Sequence, residues 1–305
     1  MRVVSYLGGI PPRNNNPDKP AMLRNFAQGV KNAGDDGVVH EGMTIQPCDV
    51  GVLQGFVHEA GKNAPHLTFR KQVLDNSKRT VIIDSNMFSF ATGKDFNNSE
   101  LLRFSFDGIF PKTGEYCNHD VDTPVHWDRL KSNYPSLQLL PYTNKGKHIL
   151  ICLQRDGGWS MRGESVLDWL DKTIKTIRQH TDKPIRIRTH PGTKMYIYHA
   201  NSIKQKYNVE VSATTKPIVE DLHKCWAMVV KNSSPSVAAL IYGIPVFATD
   251  PEYCQAGDLA NTDLTKIETP NRPDREKWLW KLCASHWNMN EIRSGMCWSH
   301  MRNYV

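Results

Sequence analysis

The second half of the chain constrains the fold most, because short apolar runs alternate there with amphipathic stretches and each run stops at a Gly, Ser, Arg or His cluster. His148–Leu153 reads as an apolar strand ending in Gln154-Arg155-Asp156-Gly157-Gly158. Leu167, Leu170, Ile174 and Ile177 follow at i, i+3, i+7 and i+10, the spacing of one buried helical face. Ile185–Arg188 is a strand closed by Thr189-His190-Pro191-Gly192, Val209–Ser212 a short strand and Ile218–Lys224 a helix. Ala227–Val230 is a strand, Pro235–Tyr242 a helix ended by Gly243, and Pro245–Ala248 a strand. Strands alternating with helices in this way form a parallel sheet covered on both faces.

The first half follows the same grammar with weaker signals. Val3–Leu7, Val38–His40, Val50–Phe56 and Thr80–Asp84 read as strands, 20–32 as a helix ended by Gly34, and Phe104–Phe106 as a strand within a loop-rich 90–140. A chain of 305 residues is long enough for two domains. Asn144–Lys147, polar and preceded by Pro141, reads as their linker. The expected architecture is α/β, two Rossmann-like domains facing a cleft. They would span 1–143 (acceptor) and 144–285 (donor), with 286–305 a C-terminal helix packing back on the first domain. In such sheets ligands sit beyond the carboxyl ends of the strands.

Charge and cysteine usage narrow the class. Lys plus Arg is 38 against 31 for Asp plus Glu, a formal net charge of +7 that suits a polyanionic partner without specifying a fold. The apolar runs fall far short of the ~20 residues of a membrane span. Gly8-Gly9 followed by Pro11-Pro12 speaks against a signal peptide. The seven cysteines are odd in number and form no CxxC, which indicates reduced thiols and a cytoplasmic setting rather than disulfides or zinc. Of the eight tryptophans, Trp169 and Trp226 fit core positions, while Trp159 could pack or stack on a ligand.

Three strand ends carry residues suited to an anion. Lys231-Asn232-Ser233-Ser234-Pro235-Ser236 puts hydroxyls before a helix whose first position is Pro235, with Ser234 as N-cap. Arg188, His190 and Lys194 surround a His-Pro-Gly turn, where Arg offers a bidentate fork and His a donated hydrogen bond or proton. Gln154, Arg155, Gly157, Gly158 and Arg162 form a Gly-rich turn that lets backbone amides approach a ligand. Each alone is equally compatible with ordinary capping or a tight turn. Their coincidence in one half-chain indicates a nucleotide or nucleotide-sugar site.

Ser233-Ser234, His190-Pro191 and Ala239-Leu240-Ile241-Tyr242-Gly243-Ile244-Pro245-Val246 resemble GT-B glycosyltransferases, especially the capsule-polysaccharide synthesis family and bacterial sialyltransferases. The resemblance implies that the His-Pro and Ser-Ser motifs hold the donor's phosphate and nucleotide. Val81–Ser89 resembles the family's strand ending in an acidic residue, and 157–165 resembles the donor-diphosphate loop of phage DNA β-glucosyltransferase. It covers about 80–255.

The residues expected to act follow from these readings. Asp84 is the first choice of base and His190 of leaving-group donor. Gln154, Arg155, Gly157, Gly158, Arg162, Arg188, Lys194, Lys231, Ser233, Ser234 and Ser236 would bind the donor. Arg70, Lys71, Lys78 and Arg79 would contact the acceptor. Asp35-Asp36-Gly37 resembles the Asp-Asp-Gly of sialyltransferases but reads as a solvated turn, and Asp107 and His58 are weaker bases. Asp120-Val121-Asp122 has metal-binding spacing in a polar loop, and no metal is expected. The co-substrate would be a UDP- or CMP-linked sugar, with no other cofactor. The expected acceptor is 5-hydroxymethylcytosine in phage DNA, with a surface glycan as the alternative and a catalytically silent nucleic-acid-binding protein as a third reading. Oligomeric state is not readable.

Overall fold

The computed structural model describes residues 1–11, 18–55, 57, 64–92, 101–155, 158–192, 196–212 and 215–305. The strands are β1 (Arg2–Tyr6), β2 (Asp36–His40), β3 (Val50–Gln54), β4 (Arg79–Asp84), β5 (Leu101–Phe106), β6 (His148–Cys152), β7 (Ile185–Arg188), β8 (Glu210–Ser212), β9 (Cys225–Val230), β10 (Val246–Ala248) and β11 (His286–Asn288). The helices are α1 (Asp18–Asn32), α2 (Pro65–Asn76), α3 (Ser89–Thr92), α4 (Val125–Asn133), α5 (Val166–Arg178), α6 (Tyr196–Tyr207), α7 (Ile218–Leu222), α8 (Pro235–Ile241), α9 (Glu276–Ala284), α10 (Met289–Ser294) and α11 (Met296–Met301). No described helix is long and apolar enough to cross a membrane.

The first unit holds Met1–Ser89, 101–133 and Glu276–Val305. Its sheet runs β11-β5-β4-β3-β1-β2, with β2, β1, β3 and β4 parallel and β5 and β11 each antiparallel to its neighbour. Val81, Ile82 and Ile83 are buried without alternation, as a strand covered on both faces requires. On one face Phe26 of α1 stacks on Phe104, 5.6 Å between centroids, and meets Trp298 edge-on. Gly29 lets α10 approach α1, since a Cβ there would lie 2.0 Å from the Ile292 carbonyl oxygen.

Asp35 departs from the solvated turn expected for it. Its carboxylate is buried and binds the N-terminal ammonium at 2.6 Å and the Trp298 Nε1–H at 2.7 Å, so it ties the two chain ends together. Asp36 opens β2 and is exposed beside Arg2.

The second unit holds Phe90–Thr92 and Tyr134–Arg275. Its five strands are all parallel, in the order β10-β9-β6-β7-β8. α5 buries Val166, Trp169, Leu170, Thr173, Ile174 and Ile177. Leu167 is 39% exposed, contrary to its place in the expected stripe. At that end the apolar face turns to Val166 and to Trp169, whose Nε1–H donates to Thr249 Oγ1 at 2.8 Å. Gly243 takes φ +71° after α8, where a Cβ would sit 2.1 Å from the Pro141 oxygen.

The units divide at 133/134 and 275/276, away from the expected borders at 143/144 and 285/286. Residues 134–143 are held in the second unit because Leu140 N–H donates to Ile241 O at 2.9 Å and the Arg275 guanidinium lies 3.9 Å over the Tyr142 ring. Residues 276–285 are held in the first by Asn118, donating to Lys281 O at 2.9 Å, and Arg129, donating to Cys283 O at 3.1 Å. The segment 286–305 is more than a helix, since β11 extends the sheet before α10 and α11.

Candidate functional site

In the second unit the ends of four parallel strands are in register: Ala248 beside Val230, Val230 beside Cys152, and Cys152 beside Arg188. Two residues past each of these ends stand Asp250, Asn232, Gln154 and His190, a row across β10, β9, β6 and β7. Asn232 Nδ2 donates to Asp250 Oδ2 at 3.0 Å and to Ser160 O at 3.1 Å, while Gln154 Nε2 donates to Asn232 Oδ1. Gln154 and Asn232 are only 7% and 5% exposed. Among the described residues, Gln154 Oε1 and the neighbouring Thr189 Oγ1 are buried without a hydrogen-bond partner.

A cationic corner adjoins the row. His190 Nδ1 accepts the Gly192 N–H at 2.9 Å, so in the neutral ring Nε2 carries the proton and donates. Burial, and then the nearby Arg155 charge, hold this imidazole below its usual pKa and keep it neutral at pH 7. A Cβ on Gly192 would touch the His190 ring at 3.2 Å and lie 3.9 Å from Arg155 Cδ, which puts Arg155, itself exposed, in the same corner. Gly158 donates its N–H to Arg155 O at 3.0 Å, and a Cβ on it would approach that oxygen to 2.7 Å. Arg162 has left-handed backbone at φ 53°, its guanidinium 4.4 Å over the Tyr253 ring and 3.5 Å from Asp250.

Other expected donor residues are committed elsewhere. Arg188 donates to buried Asp221 at 2.6 Å and to Lys216 O at 2.6 Å, and Ser212 Oγ completes that carboxylate at 2.7 Å. It braces β7 to α7 rather than reaching past the strand end. Lys231 Nζ pairs with Glu164, which also takes Lys172 at 3.2 Å. Ser236 is fully buried and receives the Cys254 thiol at 3.4 Å, because the next helical residue faces the sheet and not its edge. Ser234 caps α8 before Pro235, but its hydroxyl makes no capping bond; Ser233 is buried beside it. Gly157 and Lys194 lie outside the described residues, as does His58.

In the first unit Asp84 ends β4 and its Oδ2 receives Arg103 Nη2 at 2.6 Å. The register runs Asp84, Arg103, His286 across β4, β5 and β11. Arg103 is 2% exposed, and among the described residues its Nε and Nη1 have no hydrogen-bond partner. His286 accepts the Met87 N–H at its Nε2, 3.2 Å, and donates from Nδ1 to Leu282 O, 2.8 Å, which pins the loop after Asp84. Total burial pushes its pKa down to about 3. Arg70 reaches the carboxyl ends of the neighbouring strands: Nε donates to Gly9 O at 2.7 Å, and Gly55, at φ +83°, leaves room for the guanidinium. Burial lowers the Arg70 pKa to about 10, and burial with the Arg70 charge lowers that of Lys19, both against the pull of Asp84.

The remaining basic residues expected at the acceptor do not join this cluster. Arg79 opens β4 at the opposite edge, paired with Asp107 at 2.7 Å and Tyr304 O at 3.0 Å. Lys78 pairs there with Asp49 at 3.2 Å, and Lys71 with Asp75, one turn along α2, at 2.9 Å. Asp120 receives the Tyr304 hydroxyl. Among the described residues no group of three or more His, Cys, Asp or Glu could hold a metal ion.

Sequence reasoning missed Asn232, Asp250, Arg103 and His286 as members of these sites. Only Asn232 carried a signal, its place between Lys231 and Ser233 at a strand end.

Two Rossmann-like units with polar clusters at the strand carboxyl ends are the architecture of GT-B glycosyltransferases, the fold of this chain. No family model and no curated protein matches the sequence. Among solved structures the chain is similar to Thermosulfurimonas dismutans KpsC, β-Kdo 2,4 transferase, with a TM-score of 0.56 and 15% identity over 96% of this chain and 98% of that one. It is similar also to T. dismutans KpsC, β-Kdo 2,7 transferase, with a TM-score of 0.55 and 12% identity over 97% and 99% of the two chains. At such identities the likeness is one of fold.

Proposed function

We propose that the chain is a glycosyltransferase that moves a sugar from a nucleotide-linked donor, UDP- or CMP-linked, to a hydroxyl of a surface saccharide. The observation that carries this is the Arg155–His190–Gly158–Gly192 corner at the strand ends of the second unit. An exposed Arg fork, a neutral imidazole N–H and glycine-lined backbone together suit a phosphate that gains charge as its bond to the sugar breaks. The acceptor oxygen attacks the anomeric carbon while the bond from that carbon to the phosphate oxygen breaks. The acceptor proton passes to a general base, for which Asp84 at the end of β4 is the candidate, and the leaving phosphate is met by Arg155 and the His190 Nε2–H. Arg188, Lys231 and Ser236 support the scaffold in this reading, and no metal takes part. A nucleotide-sugar donor goes with a cytoplasmic site of action.

The surface saccharide is favoured over DNA for two reasons. The similar structures are Kdo transferases, and the basic pairs that pointed to DNA lend it little: Lys71, Lys78 and Arg79 are each neutralised by a carboxylate. What still speaks for 5-hydroxymethylcytosine DNA, or for a silent nucleic-acid-binding protein, is the sequence pI near 9.

Thermal-shift titration against UDP, CMP, GDP and their sugars, with plain and hydroxymethylated DNA alongside, tests the reading. A nucleotide at 100-fold its Kd adds about 2.7 kcal/mol of stability. Stabilisation by one nucleotide without salt-dependent DNA affinity is expected. DNA binding with no nucleotide response would overturn it.

A further inference from the structure

We infer that Gln154 is a specificity-determining residue that presents only a hydrogen-bond acceptor, so that the part of the ligand it meets is a base N–H or ribose hydroxyl of the nucleotide and not a phosphate oxygen. The inference rests on the glycosyltransferase reading for the identity of the ligand.

The direction of every bond in the row is fixed from one end. The Asp250 carboxylate can only accept, and so can the Ser160 carbonyl, so both must be met by the Asn232 Nδ2 hydrogens, at 3.0 and 3.1 Å. Turned the other way, the Asn232 oxygen would face two acceptors at once. Asn232 therefore directs Oδ1 along the row, where the Gln154 Nε2 donates to it. That leaves Gln154 Oε1 as the end of the relay, buried and without a partner among the described residues. A buried acceptor left unmet is costly, and a ligand donor in the site removes that cost.

The oxygens of an esterified diphosphate accept and do not donate at neutral pH, so this spot repels them. The division of labour across two neighbouring strand ends follows. At the end of β7 His190 offers a donor, because its Nδ1 is already taken by the Gly192 N–H. At the end of β6 Gln154 offers an acceptor. Phosphate goes to the first and a neutral, donating part of the same ligand to the second. Asp250 and Asn232 act as positioning residues, since they set which face of the Gln154 amide is shown.

The test titrates the full chain and its Gln154→Leu variant with CMP, UDP and inorganic pyrophosphate by calorimetry. The nucleotide that binds should lose about tenfold in affinity in the variant, with pyrophosphate affinity unchanged. Nucleotide affinity that is unchanged, or that falls in step with pyrophosphate, overturns the inference and leaves the glycosyltransferase reading standing. A chain that binds neither nucleotide overturns both. Should Gln154→Leu fold poorly, the unaltered chain provides a second readout, the Gln154 side-chain amide resonances. These should shift with the nucleotide and stay in place with pyrophosphate, and equal shifts with both refute the inference.

Discussion

Replacing Asp84 by alanine breaks the Asp84–Arg103 pair, 2.6 Å long, and leaves a guanidinium of 2% exposure without its one hydrogen-bonded carboxylate. Breaking a buried pair costs about 3–5 kcal/mol. Asp84 keeps 18% side-chain exposure, which lets water reach the pair and favours the lower end, about 3 kcal/mol. For units of this size that lowers Tm by about 6–12 °C. Asp84→Asn keeps an acceptor for Arg103 and should cost about half as much, yet abolish proton transfer. Arg103→Leu together with Asp84→Ala removes both charges, and the pair should recover at least about 2 kcal/mol relative to the sum of the single changes. Differential scanning calorimetry of the unaltered chain, the two Asp84 variants, Arg103→Leu and the double variant gives these values, and turnover of a nucleotide sugar separates the chemistry from the stability. An Asp84→Ala shift below about 2 °C, or strict additivity in the double variant, refutes the reasoning.

Three further outcomes are expected. Arg155→Ala should weaken nucleotide binding about tenfold at unchanged Tm, whereas Arg188→Ala should cost about 2 kcal/mol of stability, because buried Asp221 loses its 2.6 Å partner and keeps Ser212 and the more distant Arg186, at 3.6 Å; calorimetry of both variants separates a ligand contact from a brace. His126 and His286 are held neutral, with pKa values lowered by burial to about 4 and about 3. Because these folded-state values lie below the unfolded one, the unfolded chain binds more protons as pH falls through 6.5. Stability is then complete above that pH and declines by up to about 1.4 kcal/mol per pH unit for each histidine down to the folded pKa. Urea melts at pH 7, 5.5 and 4.5 check the slope, and His286→Gln should reduce it. Gly29→Ala places a Cβ 2.0 Å from the Ile292 oxygen, so α10 must move; a Tm unchanged by that substitution would falsify the close approach of the two helices.

The second unit was legible because its strands are continuous apolar runs punctuated by Gly, His-Pro and Ser-Ser. Those punctuation residues mark the strand ends, and Arg155, Gly158 and His190 are found there. The roles of Arg188 and Lys231 were not legible. Their partners are distant in the chain: Asp221 lies 33 residues beyond Arg188 and Glu164 lies 67 before Lys231. A basic residue at a strand end looks the same in sequence whether it faces a ligand or a buried carboxylate. In the first unit β11 escaped notice because three residues, His286, Trp287 and Asn288, carry no periodicity, and their pairing with β5 is set by the packing around them. Arg79 and Asp84 were both attributed to the acceptor side although a strand separates them. The length of β4 sends one to each edge of the sheet. The row from Asp250 to His190 is visible only once the register of four strands is known.

The most direct measurement incubates the chain with CMP- and UDP-linked sugars plus saccharide acceptors and follows release of free nucleotide by phosphorus NMR. Release of one nucleotide that depends on acceptor, and that falls at least about a hundredfold in both Arg155→Ala and His190→Ala, is the expected result. Release unaffected by either substitution, or absent with every donor that binds, would contradict the assignment of the strand-end corner as the site of sugar transfer.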